Sequence, residues 1–95
     1  MTLLLAMLKV DLGISTTSAY DERLMQYLAA ARDAIVAEGA RTLNPDDVLD
    51  GQLITMYAAW LFRRRDAMEG MPRMLRWHLN NRVLADRFKG GGGND

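Results

Sequence analysis

The side chains in this 95-residue chain that could do chemistry are mostly arginines. Ten of its twelve basic residues are arginine, and Arg63, Arg64 and Arg65 stand in a row. Arg73, Arg76, Arg82 and Arg87 follow in the C-terminal third. A guanidinium is a planar fork that grips carboxylates or phosphates. A cluster of them at one basic end would therefore suit an acidic neighbour or a nucleic-acid backbone. The plainer alternative is that residues 63–65 close a helix whose last carbonyls carry negative partial charge, with the rest in solvent. His78 is the one imidazole. It falls on a polar strip and reads as a surface or interface side chain. Asp46, Asp47, Asp50 and Gly51 superficially suggest a calcium loop. Their spacing departs from D-x-D-x-D-G, and Pro45 makes them the acidic first turn of a helix.

Familiar catalytic constellations lack their parts. No cysteine means no disulfide framework, no thiolate metal site and no thiol nucleophile. There is no H-E-x-x-H, G-x-S-x-G, Walker A or G-x-G-x-x-G pattern in its proper context. The glycines at 90–93 lack the lysine and following helix of a phosphate loop. The expectation is a non-enzymatic protein without cofactor or metal.

A chain this short makes one domain with one modest core. No basic segment precedes the apolar start Met1 to Leu8, as a secretory signal would require. The run Gln52 to Phe62 is far below the roughly 20 residues of a membrane span. A soluble intracellular protein is expected. The formal net charge is zero, yet residues 1–59 carry four basic and eight acidic side chains and residues 60–95 carry eight and four. The two parts are thus −4 and +4.

Punctuation divides the chain into four helices. Thr2 to about Leu12 is the first, stopped by Gly13. Ser18 with Asp21 resembles a capping box and opens the second, which runs to Glu38 with Gly39 as C-terminal cap. Asn44-Pro45 reads as N-cap and first residue of the third, which runs to about Arg65. Pro72 opens the fourth, which runs to about Lys89 and stops at Gly90. No strand-like alternation or hairpin dipeptide occurs. The expected fold is an all-α bundle of four helices over 1–89, with a flexible glycine-rich tail over 90–95.

Helical periodicity shows what each face must do. Tyr20, Leu24, Tyr27, Leu28, Ala31 and Ile35 form one buried arc of the second helix. The third is apolar nearly all round, from Leu49 to Phe62, and is expected either at the centre or partly covered by another subunit. The fourth carries two stripes, Leu75-Leu79-Val83 and, roughly opposite, Trp77-Leu84-Phe88. One protomer can cover the first. The second needs a partner, unless the tail or the first helix buries it.

The stretch Leu53-Ile54-Thr55-Met56-Tyr57-Ala58-Ala59-Trp60-Leu61-Phe62-Arg63-Arg64-Arg65-Asp66, followed by Met71-Pro72-Arg73-Met74-Leu75-Arg76-Trp77-His78-Leu79-Asn80-Asn81-Arg82, resembles the small phage head–tail connector proteins. Asp21 to Ala31 is similar to that family's second helix, with an acidic start, a leucine pair and an alanine-rich core. The likeness spans about residues 3–85 and consists of packing residues.

That resemblance implies a virion structural protein of the neck, assembled in the host cytoplasm. It would form a homo-oligomeric ring, dodecameric on the portal protein, and join the DNA-filled head to the stopper or tail. Double-stranded DNA would pass the bore without sequence-specific binding, and no membrane is involved. Arg63, Arg64, Arg65, Arg73, Arg76 and Arg87 would make subunit or portal contacts. Trp77, Leu84 and Phe88 would fill an interface pocket. Lys89, Gly90, Gly91, Gly92, Gly93, Asn94 and Asp95 would reach the portal. Two other readings stand beside it: a small helical DNA-binding regulator using the basic end, and an antitoxin-like interaction module.

Overall fold

The computed structural model describes residues 1–67 and 70–92, with side chains over 1–64 and 70–88. It is a small all-α bundle: α1 (Thr2–Asp11), α2 (Asp21–Glu38), α3 (Val48–Ala67) and α4 (Arg73–Gly92). No strand occurs among the described residues.

α1 ends as its glycine requires. Gly13 takes φ 73°, Ile14 N–H bonds to Lys9 O, and Gly13 N–H bonds to Val10 O. This pair of bonds satisfies carbonyls that the helix end leaves open. The Lys9 ammonium then meets Asp21 at 2.8 Å, tying the end of α1 to the start of α2. α2 buries Leu24, Leu28, Ala31 and Ile35 completely, one face at helical spacing. Its start differs from expectation. Tyr20 is the N-cap, no side chain caps the helix, and Ser18 only accepts the Asp21 N–H through its backbone carbonyl. Thr17 Oγ1 instead accepts the Ala19 N–H, holding the preceding turn. The other end is as read, with Gly39 at φ 129° and the same two-bond closure onto Ile35 and Val36.

α3 is the central element and touches the other three helices. Leu53, Ile54, Tyr57, Ala58 and Ala59 are buried, while Met56, Trp60, Leu61 and Phe62 are half-buried. Phe62 is met edge-on by Tyr20 at 6.2 Å and Tyr27 at 6.0 Å. Gly51 lets α1 come close: a Cβ there would lie 2.9 Å from Leu4 Cδ2 and 3.3 Å from the Pro45 carbonyl. The first turn departs from the sequence reading in two ways. Asp47, not Asn44, is the cap, its carboxylate accepting the Asp50 N–H at 3.0 Å. Asn44 folds a turn before it, accepting the Asp46 N–H at 3.0 Å. Leu49, expected in the apolar mass, stands in solvent, as does Val48 beside it.

α4 leans on the body by Leu75 and Leu79, both buried, and by half-buried Val83. Each fully buried leucine contributes about 1.5–3 kcal/mol of transfer free energy. The helix backbone continues to Gly92, past the expected stop at Gly90, although glycine is the poorest ordinary helix former. The shape is elongated, 51 × 27 × 17 Å, with a radius of gyration of 14.1 Å. A compact chain of this length would have about 12 Å.

Candidate interaction surface

The outer face of α4 is the strongest candidate for function, and a buried ionic clamp sets its position. Arg82 turns inward. Its Nε donates to Asp50 Oδ1 at 2.7 Å and its Nη2 to Asp50 Oδ2 at 3.3 Å. Its Nη1 donates to Asp86 Oδ1 at 2.7 Å and its Nη2 to Thr42 Oγ1 at 3.1 Å. Thr42 donates both its hydroxyl and its N–H to the Asp86 carboxylate, at 2.6 and 2.8 Å. Asn44 N–H completes the shell of Asp50 at 2.9 Å.

Such a fork satisfies charged groups that would otherwise be costly out of water. Asp50 is 6% exposed and Asp86 2%. The Thr42 hydroxyl and N–H, and then Arg82, hold the Asp86 carboxyl well below the usual carboxylate range. The paired carboxylates, Asp50 foremost, push Arg82 further above its already high value. The clamp joins α4 to the start of α3 and to the loop after α2. That loop also approaches α4 closely, since a Cβ on Gly39 would lie 2.8 Å from Val83 Cγ1.

With one side of α4 fixed, the opposite side faces solvent. Trp77 is 57% exposed, Leu84 42% and Phe88 69%, and Met74 is exposed beside them. Neither α1 nor any other described element covers the second stripe. Trp77 meets the His78 ring edge-on at 5.0 Å.

Three of the arginines meet carboxylates of their own chain, Arg82 in the clamp and two others. Arg63 lies by the carboxylate of Asp11, at 3.5 Å, where α1 ends. Arg76 reaches Glu38 at 3.0 Å, at the far end of α2. The two acids stand on different elements, Asp11 at the end of α1 and Glu38 at the end of α2. Both pairs are partly exposed, and such pairs contribute roughly 0–1 kcal/mol. Arg64 stacks over Trp60 at 4.9 Å, a cation–π contact. Arg82 is spent on the clamp. Arg73 and Arg87 are exposed, with no partner among the described residues. They lie about 21 Å apart along α4. The side chains of Arg65 and Lys89 to Gly92, and all of Gly93, Asn94 and Asp95, lie outside the described residues.

Thr42, Asp50 and Asp86 are the partners that sequence reasoning did not assign. One signal was available for Asp86: it continues the face of Leu75, Leu79 and Val83, where a carboxylate needs a partner. Of the acids at 46–50, Asp47 caps α3 and Asp50 serves the clamp. Among the described residues no group of three or more His, Cys, Asp or Glu could hold a metal ion. No described helix is long and apolar enough to cross a membrane. No family model, curated protein or solved structure matches the chain.

Proposed function

We propose that this protein is a non-enzymatic assembly subunit, a head–tail connector of a phage neck. It works by joining copies of itself into a ring and seating that ring under a portal. The observation that carries the reading is the exposed Trp77-Leu84-Phe88 face on a helix whose opposite face is already buried. An apolar stripe with an aromatic at each end is costly in water and useful only against a partner. The family likeness over residues 3–85 supplies the kind of partner. A ring sets one face of each subunit against a different face of the next, which one exposed stripe on one helix suits. Arg73 and Arg87, free of internal acids, are available for contacts across that boundary.

The DNA-regulator reading has less behind it. Arg63, Arg76 and Arg82 all meet carboxylates of their own chain, which lowers the charge open to phosphate. The test is size-exclusion chromatography with light scattering, run on the purified protein mixed with the portal protein of the same genome. Co-migration as a ring-stoichiometric complex is expected. Elution of the two components apart, together with salt-sensitive duplex binding by the subunit, would favour the regulator instead.

A further inference from the structure

A cleft of about 270 Å³ opens between the start of α3 and the middle of α4. Leu49, Leu53, Met56 and Ala85 give it apolar walls, with His78 and Asn81 on the α4 side. Leu49 is 74% exposed and Val48 beside it 72%, so this end of α3 offers apolar surface to solvent. It also offers negative charge. Asp47 caps the helix by accepting the N–H of Asp50, itself a lining residue, and Asp46 precedes it. Both acids are exposed, and neither has a cation partner among the described residues.

The opposite chemistry lies one turn further along α4. Phe88 is 69% exposed and stands between Arg87 and Lys89 in the sequence. Neighbours on a helix leave it at about 100° steps, so positions 87 and 89 lie on either side of position 88. A cation therefore borders the ring whichever edge meets an acid. Trp77 lacks that setting. Its neighbours are Arg76, already held by Glu38, and His78, which lines the cleft itself.

Knob and cleft adjoin on one molecule, Phe88 three residues beyond the lining Ala85. The arrangement that engages both at once is a two-fold one, in which each copy gives its knob and receives the other's. We infer that two copies of this chain pair through this end, with Phe88 of each seated in the α3–α4 cleft of the other and its bordering cations against Asp46 and Asp47. Charge selects the occupant. Positions 46–49 join two free carboxylates to two exposed apolar side chains, and positions 87–89 join two cations to an exposed ring. The contact belongs to the free subunit and goes beyond the connector role. It covers Phe88, so a paired copy withholds that residue from a ring. One aromatic side chain and a few exposed ion pairs per copy make a small interface, and the pair forms only at high protein concentration.

Sedimentation equilibrium of the full chain, from micromolar to near-millimolar concentration, tests this. The mass should rise from one copy toward two and stop there. Phe88→Ser should remain a monomer over the whole range. Arg87→Asp combined with Lys89→Asp should weaken pairing about tenfold, since the two-fold axis applies each change twice. Adding Asp46→Arg to that chain should recover part of the loss, which a merely structural effect would not do. Trp77→Ser should pair as the parent protein does. Circular dichroism checks that each variant keeps the parent helicity. A parent protein that stays monomeric, growth past two copies, pairing lost in Trp77→Ser, or no recovery on adding Asp46→Arg would each overturn the inference. No portal enters this assay. Pairing without portal binding removes the connector role and leaves this contact standing, and portal binding by a chain that never pairs does the reverse.

Discussion

Arg82 and Asp50 are 32 positions apart in sequence, and their side chains meet as a fork, with Nε 2.7 Å from Oδ1. The pair, with Asp86 and Thr42, fixes which side of α4 turns inward. It thereby fixes which side is left for a partner. The apolar contacts of Leu75 and Leu79 hold the helix down, and the clamp sets its rotation.

Replacing the cation should cost more than a surface ion pair would. Arg82→Met leaves Asp50 and Asp86 as two carboxylates without their shared counter-charge. A loss of about 3 kcal/mol is expected, as for one-sided removal of a buried charge. Arg82→Lys keeps a charge but cannot bridge both acids and the threonine, so it should fall between. Urea unfolding monitored by helicity measures both. Equal midpoints for Arg82→Met and the parent protein would show that the clamp contributes nothing.

The clamp also gives acid sensitivity a definite origin. Asp86 binds its proton less readily in the folded protein than in the unfolded chain. Its contribution is therefore complete above the ordinary carboxylate value of about 4 and is lost as pH falls below it. Thermal melts from pH 6 downward should show stability falling below about pH 4. Asp86→Asn should show a shallower fall from a lower starting point. The same slope in both proteins would assign the acid sensitivity elsewhere.

Gly39 should tolerate a methyl group less well than Gly13. Both have positive φ, 129° and 73°. A Cβ at Gly13 meets nothing within 4 Å, whereas at Gly39 it would press on Val83. Gly13→Ala is expected to cost about 1 kcal/mol from backbone strain alone. Gly39→Ala is expected to cost about 2–3 kcal/mol, because α4 must also shift. Chemical denaturation of the two variants ranks them, and the reverse order would contradict the close approach of loop and helix.

The faces were legible in the sequence because they are local. Leu24, Leu28, Ala31 and Ile35 recur at the helical period, and the structure buries all four. The two stripes of α4 were legible for the same reason. The caps were less so, since Ser18 and Asn44 suit turns as well as helix starts, and here the backbone uses them in turns. The clamp was hidden by distance: Thr42 and Asp86 are 44 residues apart, and only the fold brings them together. The separate partners of the adjacent arginines were not legible either. Residues adjacent in sequence leave a helix at 100° steps, so Arg63 and Arg64 go to different partners, Asp11 and Trp60.

The central claim is that the outer face of α4 serves contact between molecules and not the stability of one. Trp77→Ser, Leu84→Ser and Phe88→Ser combined in one chain test it most directly, with thermal melting and light-scattering chromatography beside the portal ring run on the same sample. The account predicts a melting temperature at or above that of the parent protein, and a subunit that no longer joins the ring. A variant that melts well below the parent, or that still co-migrates with the portal, would contradict it.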